Sequence, residues 1–221
     1  MEKKKKIHRL LLCLFCIVLL FSCDGSLLVS LYISDMMTVA KQPETILYSN
    51  ATIIAAGLKD AKDIEFLRNN LNSFTNERII KHAYSEALTF TVKVPIVSAN
   101  YKGTFDSSKD LLFFYVNEKQ DQIDYHCMYN GRVLDTISEY LKNEHYQTFD
   151  WNDVTLSIKL ENDLPEPVSA LAYSSFVNGE PHPFSAAISL KRRDTVDIEF
   201  SNVLRNSIVK GKKQLVVSIK K

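Results

Sequence analysis

Glycine is scarce in this chain, so the glycine-rich loops that common catalytic and nucleotide-binding sites need are missing. The 221 residues hold 6 glycines, each standing alone. No G-x-S-x-G, H-E-x-x-H, G-x-G-x-x-G or phosphate-binding G-x-x-x-x-G-K-[ST] motif is present. The longest apolar run, Leu10–Phe21, is also shorter than the roughly 20 residues that span a bilayer. The sequence therefore offers no local catalytic motif and no ordinary membrane-spanning helix.

Cysteine is almost absent after the first apolar run. Cys13 and Cys16 lie within that run and Cys23 follows it, so Cys127 alone remains for the rest of the chain. This excludes an internal disulfide. We expect Cys127 to be a small buried side chain on a strand. A nucleophile or an intermolecular disulfide is the alternative, but His126 would point to the opposite face of the strand.

Metal-ligand spacing is missing as well. None of the later histidines stands three to five residues from another, as local zinc sites require; they are His82, His126, His145 and His182. Two acidic pairs near predicted turns lack the spacing of an EF-hand loop; they are Asp121 with Asp124 and Glu161 with Asp163. We therefore expect no metal site, no catalytic residue and no non-covalent cofactor.

The first residues have the form of a secretory signal. Lys3 to Lys6 and Arg9 form a basic head, and the uncharged run Leu10–Phe21 follows it. A basic head before a short apolar run directs export rather than membrane spanning. The alternative is an uncleaved anchor helix extended by residues 27–33, but Asp24 and Gly25 interrupt that stretch.

The segment Leu20-Phe21-Ser22-Cys23 resembles the lipobox of bacterial lipoproteins, an aliphatic residue, a variable one and a small one before a cysteine. The resemblance implies that residues 1–22 are a signal peptide cut between Ser22 and Cys23. It also implies a thioether-linked diacylglycerol on Cys23 and often an acyl chain, such as palmitate, on its amine. Two or three such chains anchor stably, since each buried methylene contributes about 0.8 kcal/mol. We thus expect a cell-envelope protein tethered to the inner or outer membrane, on its periplasmic or surface face.

The chain that would remain carries 22 Lys and Arg against 25 Asp and Glu, a net charge of −3. It has no basic stripe dense enough for nucleic acid. Lys191, Arg192 and Arg193, together with the lysines near the C-terminus, make that region locally positive. Such charges usually protect turns and strand edges, and docking to anionic lipid headgroups or acidic glycans is the sharper interpretation.

Alternating apolar residues predict about ten strands and two or three short helices. The clearest local feature is Asn178-Gly179 between two apolar runs, 168–177 and 184–190, which predicts a type I′ hairpin. Pro95, within the run 88–96, suggests an edge strand. Asp60 is a good helix N-cap, and Ser201 can cap a short helix near the end.

These elements predict a β-dominant α+β fold of mostly antiparallel sheets, or a sandwich. Residues 23–105 would form an N-terminal α+β subdomain, and residues 106–221 a β-rich C-terminal subdomain. The segment 176–181 leading to 194–198 resembles small uncharacterised lipoproteins of bacteria and their phages, and it carries no site residue over from them.

Two functions stay open at this point. The first is a membrane-anchored, non-enzymatic binding or assembly module that meets an envelope protein or glycan. The second is an envelope enzyme, such as a hydrolase, with a dispersed active site. A deep pocket with a perturbed His or carboxylate would favour the enzyme, and an apolar patch or open sheet edge would favour the binding module.

Overall fold

A computed structural model describes residues 25–82, 85–146 and 148–221. The predicted signal peptide, its cleavage position and Cys23 lie outside these residues. Of the described residues, 50% are in strands and 23% in helices. The strands are β1 (Gly25–Tyr32), β2 (Ile46–Ala56), β3 (Thr75–His82), β4 (Ser85–Ser98), β5 (Leu112–Glu118), β6 (Gln122–Tyr129), β7 (Thr155–Glu161), β8 (Val168–Val177), β9 (Glu180–Leu190), β10 (Thr195–Phe200) and β11 (Gln214–Lys220).

Four α-helices accompany the strands in the described ranges: α1 (Ile33–Lys41), α2 (Ala61–Asn70), α3 (Gly131–His145) and α4 (Asn202–Val209). Two of the helices begin where local chemistry predicts, at Asp60 and at Ser201, whereas α1 follows Tyr32, which makes no side-chain cap. Asp60 is the N-cap residue of α2, and the Ser201 hydroxyl accepts a hydrogen bond from Leu204 N–H at the start of α4. No helix in the described part of the chain is long and apolar enough to cross a membrane.

Nine strands close into a barrel, in the order β10-β7-β1-β2-β4-β5-β6-β11-β8 and back to β10. β3 pairs with β4, and β9 with β8, outside this ring. The prediction of a β-dominant α+β fold of mostly antiparallel sheets, or a sandwich, with two or three short helices was therefore wrong, because the protein is mostly β, its main sheet is closed and the described ranges contain four helices. Strands from both predicted subdomains enter the ring, and the division at residue 105 stays a prediction.

The sequence pattern could not have revealed closure. Alternation shows that one face of each strand is buried, and that holds for a sandwich and a barrel alike. Closure depends on long-range pairs: β1 runs parallel to β7, and β8 pairs with β11 through Ala170–Ala172 and with β10 through Ser175–Val177. A bulge at Ser174, with φ of +46°, separates the two parts of β8.

Pro95 misled the placement of its strand. β4 lies between β2 and β5 and is not an edge. On its side away from β2, the register with β3 stops at Thr91 and that with β5 starts at Ile96. Pro95 stands in this interval, where no neighbouring strand needs its missing N–H.

The barrel has a near end, where β1 begins, and a far end, where β1 finishes. Gly25 begins β1 at the near end, and Tyr32 ends it at the far end. Gly25 pairs with Ala55, so β2 also finishes at the near end and leads to α2. Tyr32 pairs with Glu161, so α1 and the end of β7 lie at the far end. The Asp194 carbonyl accepts from Asn162 N–H, which puts the turn 191–194 at the far end too.

Candidate functional site

β9 provides an open sheet edge. Among the described residues it pairs with β8 and with no other strand. Its first half contains Pro181 and Pro183, which cannot donate hydrogen bonds and so protect an edge. Its second half, Ser185–Leu190, has neither proline nor charge. This half therefore presents a backbone edge that another extended chain can join.

A cleft of about 290 Å³ follows this edge, and we call it the edge cleft. It is lined by Val177, Asn178, Ala187, Ile188, Ser189, Leu190, Asp194, Thr195 and Val196. On the cleft side, β10 pairs with β8 only from Ile198 to Phe200. At the preceding residue of β10, Asp197, the tip of the β8–β9 hairpin takes the place of a strand partner, because Asn178 N–H donates to the Asp197 carbonyl at 2.9 Å. Thr195 and Val196 thus face the cleft without a strand partner on that side among the described residues.

The hairpin that carries β9 is the one that Asn178-Gly179 predicts. Both residues have positive φ, +49° and +86°, as a type I′ turn requires. The register of this hairpin is irregular at Ser174 on β8. Phe184 on β9 is 87% exposed, which is unusual for a large apolar side chain in a strand.

A second concave site, the end cavity, lies at the near end under α2 and α3 and measures about 60 Å³. Its lining is apolar and comprises Gly25, Leu27, Ile53, Ile54, Ala55, Ala56, Leu58, Leu67, Leu71, Phe90, Leu111, Ile137, Leu141, Phe149, Trp151 and Val154. None of these side chains is an acid, a base or a nucleophile. The cavity can exclude water, but it holds no group for proton transfer.

One buried carboxylate stands near that cavity, between α2 and α3. The Asp63 Oδ1 atom accepts the Tyr140 hydroxyl and the His145 Nε2, both at 2.7 Å. The Oδ2 atom accepts the backbone N–H groups of Lys59 and Asp60, both at 3.2 Å. Asp63 is therefore the centre of a clamp between the start of α2 and the end of α3.

The hydrogen bonds of this clamp determine the direction in which the pKa of Asp63 shifts. Burial alone would raise the pKa of Asp63, but the bonds from Tyr140, His145 and the backbone outweigh it and lower that pKa. Burial and the bond to Asp63 raise the pKa of Tyr140. Asp63 is thus a charged acceptor whose two oxygens are occupied, which suits a structural role better than that of a general base.

The structure does not gather the residues that the sequence singled out. Cys127 is buried on β6 as predicted, and burial raises the pKa of its thiol. His126 points to the other face of β6, and burial followed by the charge of Lys213 lowers its pKa. His182 belongs to β9.

The two acidic pairs named in the sequence analysis do not come together, and each acid described here is held by its own neighbours. Asp124 is buried and bound by Ser218 at 2.6 Å and by Lys119 at 2.5 Å, whereas Asp163 at the far end accepts Ser34 N–H at 3.0 Å. No group of three or more His, Cys, Asp or Glu side chains in the described ranges is arranged to hold a metal ion.

Sequence reasoning missed the Asp63 clamp and the edge cleft. Asp63 stands three residues after the N-cap Asp60, a spacing that points to helix capping. Tyr140 and His145 follow 77 and 82 residues later, so no local pattern links them to Asp63. The gap beside β10 arises from the course of the whole hairpin, which no local pattern reveals.

The fold and these sites define a class of protein: a mostly β domain with a closed barrel, helices over its near end and, among the described residues, open strand edges on β3 and β9. The chain belongs to the family described as domain of unknown function DUF7424, which matches residues 26–221. No curated protein and no solved structure matches the chain significantly.

Proposed function

We propose that this chain is a lipid-anchored protein of the cell envelope and a non-enzymatic binding or assembly module. The edge cleft takes an extended segment of a protein partner. The observation that carries this proposal is the free edge of β9, where residues 187–190 of the uncharged, proline-free half border the cleft. A peptide that adds a strand to such an edge gains affinity from backbone hydrogen bonds and specificity from alternate side chains.

The cleft suits a polypeptide better than a glycan. Its lining contains no aromatic ring, so it has no platform on which a sugar could stack. It does contain the unpaired side of β9 and the start of β10, which are backbone edges. Its position at the far end, away from Gly25, also leaves it accessible when the near end is tethered.

The anchor belongs to the same proposal. Cys23 carries the lipid, and Ser22–Cys23 is the cleavage site. The family match covers residues 26–221 and leaves the predicted signal and anchor outside it, so this part of the proposal rests on the lipobox-like sequence. Gly25 begins β1 two residues after Cys23, so at about 3.5 Å per residue the barrel starts within roughly 7 Å of the lipidated residue.

The alternative, an envelope hydrolase, gains no support from the geometry. The end cavity has an apolar lining without titratable groups. Two perturbed carboxylates stand near it, and neither lines it. Asp63 already accepts four hydrogen bonds. Asp110 precedes the lining residue Leu111, is 1% exposed and accepts the Asn72 side chain at 2.7 Å, and burial raises its pKa. A catalytic acid or base needs a free position facing a substrate.

Site-specific photocrosslinking in intact cells tests the proposal. Benzoylphenylalanine replaces Ala187 in the edge cleft or, as the control, Thr52, which is exposed on β2 outside it. We expect a discrete protein adduct at position 187 at least fivefold stronger than at position 52, and its loss when Ser189→Lys adds a charge to the edge. Equal crosslinking at both positions, or no effect of Ser189→Lys, would contradict the cleft.

Mass spectrometry of the native protein tests the anchor separately. Cleavage before Cys23 and a diacylglycerol mass on that residue are expected. An unmodified residue 23 still joined to residues 1–22 would contradict the lipid anchor and the location that follows from it. The binding role of the edge cleft is tested by the crosslinking experiment alone.

A further inference from the structure

An aromatic groove of about 690 Å³ lies on the outer face of β5 and β6. Phe113 forms its floor, with the Phe105 ring edge-on at 6.2 Å and the Tyr115 ring at 6.1 Å. Met128 and the first residues of α3, Gly131 and Arg132, complete the wall. We call this surface the basic groove, for the charges described next.

Positive charge surrounds the groove. The Lys213 ammonium lies 4.9 Å from the centre of the Tyr115 ring, Arg132 lines the wall, and Lys210 and Lys212 flank Gly211 at the rim. None of these four cations forms an ion pair with a described residue. Asp106 is the one acid in the lining. The groove thus combines an apolar floor with unneutralised positive charge.

Arg132 stands at an electrostatically unfavourable position in α3. It occupies the first turn of α3, where the helix dipole is positive and acidic residues are favoured, and this turn contains none. An anion bound in the groove would relieve this repulsion and would lie at the positive end of the helix, where Asn130 Oδ1 accepts the Arg132 N–H. The cation and the helix end therefore point to one ligand chemistry, a negatively charged group attached to an apolar body.

The groove lies at the near end, where the proposed anchor emerges. α3 begins in the groove at Gly131 and covers the end cavity with Ile137, and Gly25 lines that same cavity. Six residues of helix separate Gly131 from Ile137, or about 9 Å. A lipid at Cys23 would therefore hold this end of the barrel against the membrane.

We propose that the basic groove docks on the phosphate headgroup of an anionic membrane phospholipid. Lys212, Lys213 and Arg132 bind the phosphate, while Phe105, Phe113 and Tyr115 contact the glycerol and upper acyl region. The orientation in the membrane rests on the proposed lipid anchor, but the headgroup site itself does not. The net charge of −3 for residues 23–221 disfavours adsorption to anionic vesicles, so binding requires this local patch.

Vesicle co-sedimentation tests the groove with the unlipidated chain 24–221, which contains every strand of the closed barrel. Vesicles contain phosphatidylcholine alone or phosphatidylcholine with phosphatidylglycerol at 7:3. We expect at least tenfold tighter binding to the anionic vesicles, weakened by salt. The double variant Lys212→Glu/Lys213→Glu should abolish that preference, and Phe105→Ser should reduce it severalfold.

The far end supplies a matched control. Arg192→Glu/Arg193→Glu makes the same change of charge in the exposed turn between β9 and β10 and should leave binding within twofold of the parent. Equal losses in the two double variants would reduce the effect to total charge and overturn the groove. Equal binding to both vesicle types would do the same. Full displacement by millimolar inorganic phosphate or by an acidic glycan would show a soluble-anion site and overturn the lipid assignment.

This assay does not depend on the modification of Cys23 or on the edge cleft. An unlipidated residue 23 in the native protein would contradict the proposed anchor and would not affect the interpretation of the vesicle experiment. Loss of the vesicle preference with Cys23 lipidated would defeat the groove alone.

Discussion

The two ends of the barrel differ in how their polar contacts are protected. At the near end, α2 and α3 cover the opening, and the carboxylate that joins them, Asp63, is 1% exposed. At the far end, α1 follows β1, and Asp163 reaches Ser34 at the exposed surface. Both acids accept hydrogen bonds across long sequence distances. Asp63 accepts four hydrogen bonds away from water and Asp163 accepts two beside it, so we expect the buried contact to stabilise the fold more.

The first and largest test compares these two acids. Asp63→Asn leaves buried donors without a charged acceptor, and we expect it to lower the free energy of unfolding by about 3 kcal/mol. Asp163→Asn should cost less than about 1 kcal/mol, because water replaces the lost contact at the surface. Urea denaturation followed by circular dichroism measures both. Similar losses at the two positions would contradict the comparison.

The next test is the dependence of stability on pH, and the direction of the expected change follows from the lowered pKa of Asp63. The contribution of Asp63 is fully present above its unfolded pKa of about 4 and is lost as the pH falls through the lower folded value. Asp124 also has a lowered pKa and adds to the loss in the parent protein. The Asp63→Asn variant should therefore lose less stability than the parent between pH 6 and pH 3. Parallel pH profiles would show that Asp63 does not titrate as proposed.

The smallest effects come from two glycines with opposite roles. Gly179 has φ of +86° in the hairpin turn, so Gly179→Ala should cost about 1 kcal/mol. Gly131 begins α3 with open space around its Cβ position, so Gly131→Ala should stabilise by about 0.5 kcal/mol. Thermal melts of both variants give the sign directly. Destabilisation by Gly131→Ala would indicate that the start of α3 is held in a conformation that only glycine allows.

Much of the local structure was predictable. The hairpin at Asn178-Gly179, the capped starts of α2 and α4 and the buried Cys127 follow from side-chain chemistry within a few residues. β3 was missed, because residues 75–82 are mostly polar and exposed and lack the alternation that identifies a half-buried strand. The edge cleft and the Asp63 clamp were not predictable, since each needs residues from distant segments.

By itself, the sequence determined where most strands and helices form, because alternation, caps and turn residues act within one or two turns of chain. It also determined the signal-like first segment with its lipobox-like cysteine, from which the proposed address follows. Only the tertiary structure decided that β8 joins β11 to β10 and closes the sheet, that β9 is left with a free edge, and that Asp63 meets His145. These outcomes depend on contacts between residues far apart in the chain, and short-range patterns carry no information about which distant partner a strand or a buried charge will find.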